Sequence, residues 1–154
     1  MAGQASKAKR SIGTLLKMED NDSPSVFNTV GDVTGINATE PKFDELETTH
    51  LNSPTDAQGN VFKEFMYGLL DPGSIALDVN FTGTDAQDQI IEACGTLKNF
   101  EWHMPQVVTT AWPNGVKIEF SANVGYLLPK PDPKNVLKAT LQLRNSGAYT
   151  FTAL

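Results

Sequence analysis

The apolar positions along this chain keep mainly to a period of two. Ile75, Leu77, Val79 and Phe81 fall on every second residue, as do Val116, Ile118 and Phe120, and such alternation predicts strands with one buried face. A weaker alternation through Ile12, Thr14, Leu16 and Met18 predicts a first strand. The run "SPSVFNTVGDVTGINATEP" carries Val26, Val30, Val33 and Ile36, broken by Gly31 and Gly35. Glycines inside such a run predict a bulge or bend. Pro41 ends it, and "KFDELETTHL" reads as a further extended segment leading into a polar loop over 52–60. Later strands are predicted in "LKNFEWHMP", "QVVTTAW" and "GVKIEFSANVGYLL". "PKPDPK" is a stiff connector. "NVLKATLQLRNSGAYTF" predicts a closing hairpin that turns at Asn145 to Gly147.

One segment has helical spacing instead. Ala86, Ile90, Ile91 and Cys94 form an apolar stripe at the period of an amphipathic helix. Thr84 and Gln87 have the spacing of a capping box, Asp85 and Asp88 suit the positive end of the helix dipole, and Gly95 suits a left-handed stop. The sum is a mainly β, antiparallel sandwich or barrel with one flanking α-helix at about residues 85–94. The whole chain, 1–154, reads as a single domain, with a flexible basic arm at 1–11.

A second segment has no period at all. Phe62, Phe65, Met66, Tyr67, Leu69 and Leu70 crowd together at the end of the polar stretch "NSPTDAQGN". An apolar cluster ending a long polar loop marks a surface made for a protein partner, although a buried strand or a satellite core beneath the loop is the competing reading.

Composition narrows the classes. A single cysteine, Cys94, excludes an internal disulfide and a cysteine-rich zinc site. No apolar run approaches the length of a bilayer span, and the basic N-terminus has no apolar segment behind it to make a secretory signal. A net charge of −6 disfavours a general nucleic-acid binder. That charge is unevenly spread. Residues 1–18 hold four bases and no acid; residues 19–101 hold 16 acids against three bases; residues 102–154 hold five bases against Glu119 and Asp132. This asymmetry suits either a solvated surface whose charges mix in three dimensions or a subunit that meets copies of itself head to tail.

Catalytic chemistry is thinly represented. The two histidines, His50 and His103, sit in no motif; no metal-ligand spacing, nucleophile elbow or phosphate-cradling loop is present. Glu45 and Glu47 share a strand face without forming a catalytic pair. No cofactor and no enzymatic activity are expected. An acid-pair hydrolase remains a distant reading. The alternative binding class is a carbohydrate- or protein-binding β-sandwich module, with Trp102 and Trp112 as an aromatic platform.

The order "IGTLLKMEDNDSPSVFNTVGDVTGIN", then the long loop, then "YGLLDPGSIALDVNFTGTDAQDQIIEA", resembles the major tail tube protein of long flexible-tailed bacteriophages, a superfamily that includes the type VI secretion tube. The resemblance spans about residues 12–151. It implies a virion structural protein, made in the host cytoplasm, that assembles into stacked hexameric rings. These form a hollow tail tube through which DNA is ejected without specific binding and without a membrane role for the subunit. Implied partners are further copies, a tape-measure protein inside, and tail-tip and terminator proteins at the ends. The loop at about 51–70 is then the inter-ring element, with Leu51, Val61, Phe62, Phe65, Met66, Tyr67, Leu69 and Leu70 as anchors. Lys7, Lys9 and Arg10 become contacts of the N-terminal arm. Candidate lumen acids are Asp20, Asp22, Asp32, Glu40, Asp44, Glu45 and Glu47.

Overall fold

A computed structural model describes residues 13–31 and 33–154. Lys7, Lys9, Arg10 and Asp32 therefore lie outside the described residues. The elements in chain order are β1 (Leu15–Glu19), β2 (Phe27–Thr29), β3 (Val33–Ala38), β4 (Lys42–Glu47), β5 (Phe65–Asp71), β6 (Ser74–Asn80), α1 (Asp85–Glu92), β7 (Leu97–Met104), β8 (Val116–Lys130) and β9 (Lys138–Ala153). Seven strands form one antiparallel sheet in the order β2-β1-β7-β8-β9-β6-β3, and β4 with β5 forms a separate two-stranded sheet. The expected mainly β, antiparallel architecture with one helix is what the structure has, and the sheet does not close into a barrel.

The alternating residues fill the core as their period requires. Leu16 and Met18 of β1, Ile75, Leu77 and Val79 of β6, Phe100 of β7, Phe120, Ala122 and Val124 of β8, and Ala139, Leu141 and Leu143 of β9 are buried in one cluster. Phe100 and Phe120 stack with ring centroids 5.6 Å apart. The long strands β8 and β9 bridge two halves of the sheet. Val116 to Asn123 of β8 pairs with β7, whereas β6 pairs with β9 from Lys138 to Arg144.

Two expected elements take another form. No hairpin turn occurs at Asn145 to Gly147; β9 runs on through Ala153, and its register against β8 shifts between Glu119 and Ser121. Gly147, at φ +84°, makes the bulge possible because only glycine enters that region without strain. "QVVTTAW" is not a strand: residues 105–115 form turns, with Thr109 and Trp112 exchanging backbone hydrogen bonds of 3.1 and 3.2 Å. Its β-branched residues have no neighbouring strand to pair with.

The helix is shorter than expected, and its cap differs. The Thr84 side chain makes no cap hydrogen bond. Gln87, fully buried, instead accepts from the amides of Thr82 and Gly83 at 2.9 and 3.0 Å, and donates to the Asn80 carbonyl at 2.8 Å. The glutamine thus braces the chain between β6 and α1. Ile91, expected on the buried stripe, is 47% exposed; Ile90 and Ala93 carry the burial. Gly95 does end the helix at φ +83°, donating its amide to the Val124 carbonyl at 2.7 Å.

Candidate assembly surface: the β4–β5 arm

The register explains where β4 and β5 go. β3 and β6 pair as far as Ala38 with Ile75; after a break, Lys42 pairs with Asp71 and Phe43 with Leu70. Each chain advances four residues across the break, so β4–β5 continues the β3–β6 ladder as a ribbon projecting from the body. Six residues of the expected 51–70 loop, from Phe65 to Leu70, belong to β5; the connecting segment is 48–64.

Neither face of this ribbon is covered. Every residue of β4, and all of β5 but Gly68, is exposed. One face carries Phe43, Phe65, Tyr67 and Leu70 beside Glu45 and Glu47, as the cross-strand pairs require, with Phe43 and Tyr67 stacked at 4.9 Å. The other carries Leu46 paired with Met66. Tyr67 is 70% and Leu69 81% exposed. Because the two faces are both apolar and both in solvent, β5 shows no alternation in sequence: no core lies on either side to impose it.

The foot and the tip of the arm are nevertheless well fixed. At the foot, Arg144 on β9 donates to both carboxylate oxygens of Asp71, at 3.0 and 3.1 Å. The Tyr149 hydroxyl donates to the Pro72 carbonyl at 3.0 Å and receives a hydrogen bond from Asn145. The amide of Asn145 donates to the Gly73 carbonyl at 3.1 Å. Gly73 has φ +81°, and a Cβ there would lie 2.4 Å from the Thr39 carbonyl oxygen. At the tip, buried Ser53 receives the His50 amide at 2.8 Å and donates to Glu64. The Glu64 amide in turn donates to Thr49 at 2.9 Å. Asp56 holds a turn through the amides of Gln58 and Asn60, each at 2.9 Å; its carboxyl is held below the ordinary range, chiefly by hydrogen bonds from Asn60. The tip presents Leu51, Val61 and Phe62 outward.

No protein-family model matches the chain, and no curated protein matches it in sequence. Solved structures do match its fold. A chain from the tail of an empty gene transfer agent particle, refined with C6 symmetry, is 17% identical at a TM-score of 0.67, covering 95% of this chain and 100% of that one. The SPP1 tail tube is 11% identical at a TM-score of 0.66, over 92% of this chain and 77% of that one. A chain of the extended sheath–tube complex of a PVC extracellular contractile injection system is 14% identical at 0.58, over 92% and 88%. This chain has a tail-tube fold.

Within that tail-tube fold the remaining candidate residues fall on several elements. Asp20 and Asp22 lie in the β1–β2 turn, Glu40 lies between β3 and β4, and Asp44, Glu45 and Glu47 lie on the arm. Asp20 organises its turn, accepting from Gln89, from the amides of Asp22 and Ser23, and from Asn28. Those hydrogen bonds, that of Gln89 first, hold its carboxyl below the ordinary range.

Sequence reading missed one charged cluster on the outer face of β7 and β8. Buried Glu101 meets His103 at 2.8 Å and Lys117 at 3.3 Å, and Lys117 also meets Glu119 at 3.1 Å. Burial pushes the Glu101 carboxyl up, but the His103 hydrogen bond and the Lys117 charge outweigh it, and the net direction is down. Glu101 and Glu119 are cross-strand partners, with Lys117 bonded to each of them. The only sequence signal was their shared period-two face. Among the described residues no group of histidine, cysteine and acids is placed to hold a metal. Trp102 packs against the core beside Phe120, and Trp112, in the 105–115 region, stacks on Phe151 of β9. No helix of the described residues is long and apolar enough to cross a membrane.

Proposed function

We propose that this protein is a structural tail-tube subunit, without enzymatic activity, that assembles into hexameric rings stacked as a hollow tube, and that DNA is ejected through the tube. The observation that carries this reading is the arm. A two-stranded ribbon is marginal in water on its own, and large apolar residues exposed on both its faces mark a contact surface. A neighbouring ring supplies the cover, with Leu51, Val61, Phe62, Phe65, Met66, Tyr67, Leu69 and Leu70 as the anchors; Lys7, Lys9 and Arg10, outside the described residues, contribute further contacts. The likeness to tail and tube structures supports the same reading.

Ring formation has a physical basis in the sheet edges. β3 is an outermost strand, and the part of β8 beyond Val124, which still bonds Gly95 and Thr96, has no β7 partner. The bulge at Gly125 and Tyr126 leaves the tyrosine 81% exposed beside that second edge. Two unlike edges on one subunit give a heterologous contact, which closes into a ring when the rotation permits. A tape-measure protein occupies the lumen in this reading, and tail-tip and terminator proteins cap the ends. Carboxylates among Asp20, Asp22, Asp32, Glu40, Asp44, Glu45 and Glu47 that face the lumen repel phosphates and let DNA slide. Unchanged ejection after their neutralisation would remove that part of the account.

The experiment is deletion of the arm. Replacing residues 42–71 by an Asn-Gly turn should leave a folded subunit that no longer polymerises. Polymers from the deleted chain would refute the reading.

A further inference from the structure

Resting on the reading of the arm as an inter-ring element, a second surface follows at the opposite end of the same half-sheet. The arm leaves β6 at Ser74, whereas Asn80, at the other end, is paired with Lys138 on β9. β6 is seven residues long, so the two ends are about 20 Å apart. At the far end Lys130 of β8 and Lys138 of β9 are direct cross-strand partners. Like charges so placed are destabilising. Neither lysine has an ion pair among the described residues, so no direct salt bridge there offsets the repulsion. Leu128, two residues before Lys130 on the same strand face, is 62% exposed, and Val136 in the β8–β9 connection is 64% exposed. Lys130, Val136 and Lys138 line a shallow cleft of about 480 Å³ with Asp78 and Asp132. Asp78 bonds Thr140 at 3.0 Å, and Asp132 holds its own turn through the Lys134 amide and Asn135.

The arm has the matching chemistry. From Lys42 to Asp71 it carries six acids against Lys42 and Lys63. Of those acids, Glu45 and Glu47 stand on the same ribbon face as Phe65 and Tyr67. We propose that the surface formed by Leu128, Lys130, Val136 and Lys138 is the acceptor for the arm of a second copy. Glu45 and Glu47 of the arm neutralise the lysine pair, and its aromatic residues cover Leu128 and Val136. Donor and acceptor at opposite ends of one half-sheet give a head-to-tail contact that propagates without limit, as stacking requires. The opposed lysines also disfavour contact between two acceptor ends, which fixes polarity.

Charge exchange tests this. The acceptor variant Lys130→Glu/Lys138→Glu and the arm variant Glu45→Lys/Glu47→Lys should each abolish tubes in electron micrographs, with melting temperature little changed. Combining all four substitutions in one chain should restore tubes. If the acceptor variant forms tubes as the unaltered protein does while the arm variant does not, the acceptor lies elsewhere and the proposal falls, although the arm reading stands. If both variants and the arm deletion form tubes, the arm reading itself falls. Should the acceptor variant not fold, a Cys94→Ser chain carrying Glu47→Cys and Lys138→Cys replaces it. Oxidation should link its copies into ladders, well beyond a control with Glu47→Cys and Lys17→Cys. Equal linking in the two chains would overturn the proposal.

Discussion

Arg144 grips both oxygens of Asp71, joining the last residue of the arm to the middle of the longest strand in the body. The Asp71 carboxyl is held below the ordinary range, first by the Gly73 amide and then by Arg144. Exposed ion pairs contribute little to global stability, so the pair sets the arm's direction more than the fold's survival. Arg144→Ala should leave the melting temperature nearly unchanged and speed amide exchange in β4 and β5. Unaltered exchange there would show that Tyr149 and Asn145 fix the foot without it.

Gly73 is the tightest point of the same foot. An alanine there meets a backbone carbonyl that cannot rotate away, in a region of φ that disfavours side chains. Gly73→Ala should cost about 1–3 kcal/mol in denaturant unfolding. Gly59→Ala is a partial control: φ is also positive, at +80°, but no atom lies within 4 Å of its Cβ, so only the conformational strain is charged.

Buried Gln87 makes three hydrogen bonds to the segment that leads into the helix. Gln87→Leu leaves two amides without their acceptor and should destabilise by about 1–3 kcal/mol. Phe100→Ala, which opens a hole in the core, should cost about 3–5 kcal/mol. Equilibrium unfolding reads both.

The Glu101 cluster sets a pH dependence. A carboxyl whose folded value is lowered binds fewer protons folded than unfolded, so its contribution to stability is present above its ordinary value of 4.5. The contribution is lost as pH falls through the lowered value. Glu101→Gln should therefore flatten the acid limb of stability against pH below the ordinary value. An unchanged limb would contradict the assignment.

Arm and core should respond differently to polar substitution. Phe65→Ser, Tyr67→Ser and Leu69→Ser remove apolar surface that the subunit itself leaves in solvent. Each should change unfolding free energy by only about 0.5 kcal/mol while reducing polymer formation. A large stability loss would place these residues in a core.

The sequence was legible where burial is complete within one subunit. Ile75, Leu77 and Val79 on β6, and Val116 and Phe120 on β8, alternate because one sheet face meets the core. β5 showed no period because no core lies against either of its faces, and that irregularity was itself the pointer to the arm. The Asn145 to Gly147 stretch has turn residues, yet β9 spends them on a bulge, since a long paired strand on β8 continues opposite it. The acceptor lysines left no motif; their opposition appears only once the β8–β9 register is known.

The most direct test of the account is negative-stain electron microscopy of the purified protein, concentrated across a range of salt. The account predicts hollow tubes of stacked, six-membered rings that are absent from the arm-deleted chain. A uniform field of monomers at every concentration and salt, even when preformed tail tips are added as nuclei, would contradict it.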